Sequence, residues 1–181
     1  DPGLPPPPPG VVIAIDKIQG ALAAVPDLQT DSRIFGYDPA TGQVLRFQLN
    51  LNTDAQNRSA GTLDPAWTPI TVAGSPTDVG LALGRDGQRQ VLLVNAGTSI
   101  SVYDATYGTA LGSFTVPTGY FATGSTDSFT VIGNTATNQL QQIDVTASLA
   151  AGTAVAPSGN PSAYTPPGGM SLLGGLTGIP G

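Results

Sequence analysis

Aspartate is the residue type in this sequence with the widest range of chemistry, because all 12 acidic residues are Asp and none is Glu. The chain has no His and no Cys, which excludes Ser-His-Asp and Cys-His catalysis and metal sites built from Cys or His. Lys17, the single lysine, could in principle activate a serine. A lone lysine beside a short apolar strand is better explained as a solvated strand end.

Paired aspartates could serve an aspartic protease or a glycosidase, and aspartates with backbone oxygens could bind calcium. The sequence contains neither Asp-Thr-Gly nor an Asp-x-Asp-x-Asp-Gly loop, and Asp86 follows directly after Arg85. The glycine pairs at 168–169 and 174–175 have no basic residue after them, so they do not form a phosphate-binding loop. We therefore expect no catalytic residues, no cofactor and no metal.

A local turn motif explains several aspartates better than catalysis does. The pattern Asp-x-x-x-Gly occurs at Asp16–Gly20, Asp38–Gly42 and Asp104–Gly108, and a copy without glycine starts at Asp144. Asp accepts hydrogen bonds from amides two or three residues on, and Gly supplies a positive φ where the next strand begins. The motif predicts structural turns at Asp38 and Gly42, at Asp104 and Gly108, and at Asp144. The Asp-Gly pair at Asp86 and Gly87 predicts a tight turn. The copy at Asp16 is explained equally well as a common β-turn and as a copy of the repeat.

The segments around these turns are typical of β-strands. Short runs alternate apolar and polar residues and are bounded by Gly, Pro, Asn or Asp, as in 33–37, 44–49, 99–103 and 112–116. Two segments, 16–25 and 145–155, are rich enough in Ala and Leu to suggest helix, but each contains a glycine. The prediction is an all-β fold.

One stretch carries a longer pattern, which runs from Ser75 to Val116. It contains, in order, a Pro-x-Asp-Val start, an apolar strand, an Asp-Gly turn, a Val-x-Asn strand, a glycine turn, a strand ending in Asp and a final strand: Pro76–Val79, Leu81–Leu83, Asp86-Gly87, Val91–Asn95, Gly97, Ile100–Asp104 and Leu111–Val116. This stretch resembles one blade of a bacterial YVTN-type or NHL-like β-propeller. The resemblance implies antiparallel β-propeller-like repeats.

Other parts of the chain are similar to a blade only in part. A second blade would run from Pro117 to about Val145, and a partial third from Leu28 to Leu49, with residues 50–68 as an insertion. A blade takes roughly 40 to 45 residues and a ring needs at least four blades. The chain suffices for three blades or four short ones, so we expect an incomplete or small propeller, with a β-sandwich as the alternative.

Both ends have low-complexity compositions. Residues 1–10 contain the run Pro5–Pro9, which favours an extended linker, a ligand for a proline-binding groove, or a strap on a neighbouring subunit. Residues 157–181 form a Gly/Pro-rich tail that is either flexible or ordered in a groove through its apolar residues. The repeat domain would then span residues 11–156. We expect partner contacts, if any, at Pro5, Pro6, Pro7, Trp67, Tyr120, Met170, Leu172 and Leu173; Trp67 fits a core position as well.

Charge and composition restrict the partners. A net charge of −6 with six scattered basic residues disfavours nucleic acid and anionic membrane surfaces. No apolar run is long enough to span a membrane as a helix. A Cys-free, Lys-poor composition is similar to that of exported bacterial proteins. We expect a non-catalytic periplasmic or extracellular scaffold bound to other protein chains; the alternatives are an accessory subunit on the periplasmic face of a membrane complex and a fragment of a ligand-binding or lactonase-type propeller.

Overall fold

A computed structural model describes residues 12–17, 32–49, 62–74, 79–87, 89–125, 130–134 and 137–159. These ranges form twelve β-strands and one short helix, which confirms the predicted predominance of β structure. The strands belong to three antiparallel sheets, and none of the three closes on itself within the described residues. The chain divides into two compact units, Asp1–Ser75 and Pro76–Gly181.

The first unit contains a five-stranded sheet. Strands β1, β2 and β3 lie side by side, and two short strands, β4 and β5, follow one another along the outer edge of β3. The strand bounds are Val12–Lys17, Ser32–Asp38, Gln43–Leu49, Thr62–Leu63 and Ile70–Thr71. Asp16 pairs with Arg33 inside β1, and residues 18–20 of the turn predicted from Asp16 to Gly20 lie outside the described residues.

The first sheet of the second unit is a four-stranded meander. Strands β6, β7, β8 and β9 pair in chain order, and their bounds are Gly80–Asp86, Arg89–Ala96, Ser99–Asp104 and Ala110–Thr115. These are the four strands expected from the blade pattern, in the expected order. Tight turns at Gly87 and Gly97, both with positive φ, join the first three strands.

The second sheet of this unit has three strands, followed by a helix. Strands β10, β11 and β12 span Tyr120–Ser125, Thr130–Asn134 and Gln139–Ile143. Helix α1 (Val145–Ala151) follows β12 directly and lies in the segment 145–155, whose Ala and Leu content suggested helix although the prediction for the chain was an all-β fold. The helix forms because five of its residues are Ala, Leu or Ser around a good N-cap, and Gly152 ends it in the left-handed region at φ 71°.

The core of the second unit lies between its two sheets. Side chains from one face of the meander pack with Ile132 and Ile143 of the second sheet and Val145 of α1. The meander residues in this cluster are Ala82, Val91, Leu93, Ile100, Val102 and Phe114. Close approach of the sheets requires Gly84, because a Cβ added there would lie 2.5 Å from Oγ1 of Thr130.

The central strand β7 is buried on both of its faces. Val91 and Leu93 point to the core cluster, whereas Leu92 and Val94 point to the opposite face because side chains alternate along a strand. All four are buried, and so is Leu81, the β6 residue paired with Val94. Continuous burial of this kind is typical of a strand inside a layered structure rather than on its surface.

Candidate functional site

The turn between β2 and β3 is held by Asp38. Its Oδ1 accepts a hydrogen bond from the amide of Ala40 at 2.9 Å, and its Oδ2 accepts one from the hydroxyl of Thr41 at 2.9 Å. The amide of Gly42 donates to the carbonyl oxygen of Asp38 at 2.8 Å, and Gly42 has a φ of 67°. The carboxylate therefore organises the backbone of the turn.

The turn between β8 and β9 repeats this chemistry at Asp104. One carboxylate oxygen, Oδ1, accepts from the amides of Thr106 and Tyr107 at 2.8 and 2.9 Å. The amide of Gly108, with φ 74°, donates to the carbonyl oxygen of Asp104 at 2.8 Å. The two Asp-x-x-x-Gly segments thus have the same backbone arrangement in different units.

Asp86 and Asp144 are placed differently from one another. Asp86 ends β6 before the tight turn at Gly87, and its Oδ1 accepts a hydrogen bond from the hydroxyl of Thr146 in α1. Asp144 was expected to form a structural turn; it is the N-cap of α1, where its Oδ1 accepts from the amide of Ala147 at 2.9 Å. The local bond is of the predicted type, and the element that follows is a helix.

Trp67 is an internal side chain of the first unit, with 6% of its surface exposed. Its indole N–H donates to the carbonyl oxygen of Val44 at 3.2 Å. Its ring meets that of Phe35 edge-on at 5.3 Å between centroids, and the guanidinium carbon of Arg46 lies 4.7 Å from its centroid. Trp67 therefore takes the core position that the sequence left open beside a partner contact, because its ring and its N–H are in contact with residues of the same unit.

Arg46 is paired with Asp64 beside this tryptophan. Nη2 of Arg46 lies 2.7 Å from Oδ2 of Asp64, and Nε donates to the same oxygen at 2.8 Å. The other carboxylate oxygen accepts from the amide of Ala66 at 2.9 Å. The pair fastens the segment after β4 to β3, a structural use of both charges.

Tyr37 is fully buried at the end of β2. Burial raises the pKa of its phenol above the ordinary value of 10.0, and the neighbouring charge of Asp38 raises it further. Both causes favour the neutral phenol, so Tyr37 is not a poised general base near neutral pH.

Tyr120 connects the two sheets of the second unit. It is half-buried against the core cluster, and its carbonyl oxygen accepts a hydrogen bond from the side-chain amide of Asn95 at 3.4 Å. Asn134 occupies the same place in β11 as Asn95 does in β7, opposite the first residue of the preceding strand. Its Oδ1 accepts from the amide of Thr137 at 3.2 Å.

The exposed large apolar side chains of the described residues are Tyr107 and Leu63, at 74% and 58% exposure. Sequence reasoning did not single out either residue. For Tyr107 a signal was present: it stands between Asp104 and Gly108, in a turn whose backbone is fixed by the aspartate. A side chain on such a hairpin tip has no strand beside it to cover it.

The remaining expected partner residues, Pro5, Pro6, Pro7, Met170, Leu172 and Leu173, lie outside the described residues. Within the described ranges no three acidic, His or Cys side chains come together as a metal site would need. No described helix is long and apolar enough to cross a bilayer.

Among the side chains that the structure describes, those that could carry chemistry are thus dispersed over turns, a helix cap and an internal ion pair. The sequence matches no model of a known protein family and is not significantly similar to any curated protein.

Proposed function

We propose that this chain is a non-catalytic extracytoplasmic scaffold, built from propeller-like β repeats, that binds other proteins in a larger assembly. The observation that carries the proposal is the two-sided burial of β7, together with the meander that contains it. A two-layer sandwich leaves the outer face of each sheet solvated. Stacked repeats bury the inner strands on both faces, as Leu92 and Leu93 are buried here.

The engagement of the aspartates supports a structural role. Each of the five aspartate side chains described in the structure accepts a hydrogen bond from the turn, the helix or the arginine beside it. An acid or base for catalysis needs a carboxylate directed at a substrate in a cleft. These side chains instead accept hydrogen bonds from backbone and side-chain donors of the protein itself.

The extracytoplasmic location rests on composition. The chain combines no Cys, a single Lys, 24 Gly and many Thr, so its surface is polar but sparsely charged. Such a surface offers little long-range electrostatic attraction and favours contacts through hydrogen bonds and isolated apolar side chains. Among the described residues, Tyr107 and Leu63 are the exposed large apolar side chains suited to such contacts.

Photo-cross-linking in the native host tests the assembly role. A photoreactive phenylalanine analogue would replace Tyr107 or Leu63, with matched controls at the exposed polar residues Thr98 and Thr68. We expect discrete adducts with defined proteins from the first pair and not from the controls. Only monomeric chain at all four positions would contradict the proposal.

The same chain allows a clean test of location, because it has no Cys. A Thr98→Cys variant in intact cells should react with a membrane-impermeant maleimide added outside or after outer-membrane permeabilisation. Labelling only after lysis of the inner membrane would overturn the extracytoplasmic assignment.

The non-catalytic role is tested with the purified chain. Calcium-dependent hydrolysis of a lactone that is lost in the Asp86→Asn variant would overturn that role.

A further inference from the structure

Within the described residues, strand β9 forms one outer edge of the meander, and β8 is the one strand that pairs with it. An outer strand presents unpaired amides and carbonyls that can pair with another chain, and proteins usually discourage this with charged residues or proline in the strand. The sequence of β9, Ala-Leu-Gly-Ser-Phe-Thr, has neither. Protection of this edge must therefore come from elsewhere.

The segment after α1 covers one end of this edge. The amide of Thr115 donates to the carbonyl oxygen of Gly152 at 3.0 Å, and the amide of Ala154 donates to the carbonyl oxygen of Thr115 at 3.0 Å. The hydroxyl of Thr115 also donates to Gly152, at 3.2 Å. Both backbone groups of Thr115 that face away from β8 are thus occupied. Because alternate residues of a strand direct these groups to the same side, those of Ser113 face the same edge.

Helix α1 contacts the next part of β9, where Gly112 and Ser113 remain exposed. A Cβ added at Gly112, whose φ is 140°, would lie 3.1 Å from Cδ2 of Leu149, so the helix rests on the strand here. The pairing of β8 with β9 is also irregular between Val102 and Tyr103. We call residues 145–155, which comprise α1 and the segment 152–155, the clasp.

The clasp is fastened by a buried serine. The hydroxyl of Ser148 donates to the carbonyl oxygen of Asp144 at 2.6 Å and accepts from the amide of Val155 at 2.9 Å. The carbonyl oxygen of Val155 in turn accepts from the amide of Asp144 at 2.9 Å. Both backbone groups of Val155 are therefore bonded to the start of α1, which holds segment 152–155 against β9.

We propose that the clasp is an autoinhibitory contact that prevents β9 from pairing with β9 of a second copy of this chain. When the clasp opens, the edge from Ala110 to Thr115 becomes free for antiparallel pairing across a two-fold axis. An uncharged strand meets no electrostatic repulsion from an identical strand, which makes a second copy the natural occupant. The inference stands independently of the assembly role proposed above.

Two full-length variants open the clasp in different ways. Ser148→Ala keeps a good helix former in α1 and removes the acceptor for Val155, whereas Ala154→Pro removes the amide that bonds to Thr115. For each variant, we expect faster hydrogen exchange at the Thr115 amide and a self-association constant at least about tenfold higher by sedimentation. Adding Ser113→Lys should restore the parent association constant while leaving the exchange fast.

Several results would overturn the proposal. One is faster exchange at Thr115 without increased association, and another is association that Ser113→Lys does not reverse. Unchanged exchange in both folded variants would show that the clasp does not protect the edge. If circular dichroism shows that neither variant folds, hydrogen exchange in the unmodified chain is the test. The Thr115 amide should then be protected while the Ser113 amide exchanges rapidly. Equally rapid exchange at both amides would refute the proposal that the clasp protects this edge.

Discussion

Arg46 and Asp64 form a charge pair inside the first unit, with 2.7 Å between Nη2 and Oδ2 and more than nine-tenths of each side chain buried. Removing one partner of such a pair leaves the other charge buried without compensation, which costs about 3–5 kcal/mol. Asp64→Ala should lower the free energy of unfolding of this unit by about that amount. Trp67, the single tryptophan, reports the transition in urea through its fluorescence.

An exposed ion pair provides the contrast. Nε of Arg89 lies 3.9 Å from Oδ2 of Asp104, and the Arg89 side chain is 51% exposed. Arg89→Ala should change the free energy of unfolding by less than about 1 kcal/mol. Equal losses from Asp64→Ala and Arg89→Ala would refute the assignment of Arg46 and Asp64 as an internal pair.

Gly84 allows the two sheets of the second unit to approach. An added Cβ would lie 2.5 Å from Oγ1 of Thr130 and 3.1 Å from Cδ1 of Leu93, so Gly84→Ala should destabilise the unit by about 1–3 kcal/mol through overpacking. Gly80→Ala, in the same strand, is the matched control because its new Cβ would meet Asn95 at an ordinary 3.5 Å. Thermal unfolding by circular dichroism distinguishes the two.

Thr130 makes the Gly84 prediction sharper. Its hydroxyl is buried and, within the described structure, has no hydrogen-bond partner. Thr130→Ala should recover part of the loss caused by Gly84→Ala, because it removes the atom nearest to the new methyl group. Strictly additive effects in the double variant would argue against direct contact between these positions.

The turn at Asp104 is the next test. Asp104→Ala removes the acceptor for the amides of Thr106 and Tyr107 and should cost about 1 kcal/mol. Asp104→Asn retains a carbonyl acceptor and should cost less. Chemical denaturation of both variants checks the order, and an equal cost for Asn and Ala would show that charge, rather than turn hydrogen bonding, is what Asp104 contributes.

The strand pattern of the second unit was predictable from sequence because it depends on local rules. Alternating residues around Ile100 and Val102 mark β8, and glycines with positive φ at Gly97 and Gly108 mark the turns beside it. Both signals are contained within a few residues. The segments of β6 and β7, and the order of all four strands, were expected from the resemblance to a propeller blade.

The outcome at Asp144 shows where local rules stop. An aspartate that accepts from an amide three residues on begins both a turn and a helix, as Asp104 and Asp144 do here. What differs is the residue at the next position: Gly108 returns the chain to a strand, whereas Ser148 continues the helix. The first step is common to both, so the aspartate alone could not separate them, and the residue four positions on is what distinguishes the two outcomes.

The internal position of Trp67 depended on contacts across the sequence. Arg46 and Asp64 are 18 residues apart, and Trp67 donates to Val44, 23 residues away. No spacing rule connects these residues, because the segment between β3 and β4 has no regular period. The sequence therefore favoured a core or loop-anchoring position for Trp67 but left a partner surface open.

Tyr37 gives the stability of the first unit a specific dependence on pH. Its pKa is raised in the folded state, by burial first and by Asp38 second, so the unfolded state loses the phenol proton at a lower pH than the folded state does. The contribution of the Tyr37 phenol to the free energy of unfolding is fully present below about pH 10. It falls as the pH rises through the pKa that this phenol has in the folded state. The urea midpoint reported by Trp67 fluorescence should decline in this range. Tyr37→Phe should flatten that decline whatever its effect at neutral pH, and Asp38→Asn should reduce it partly. An unchanged alkaline slope in Tyr37→Phe would exclude Tyr37 as its source.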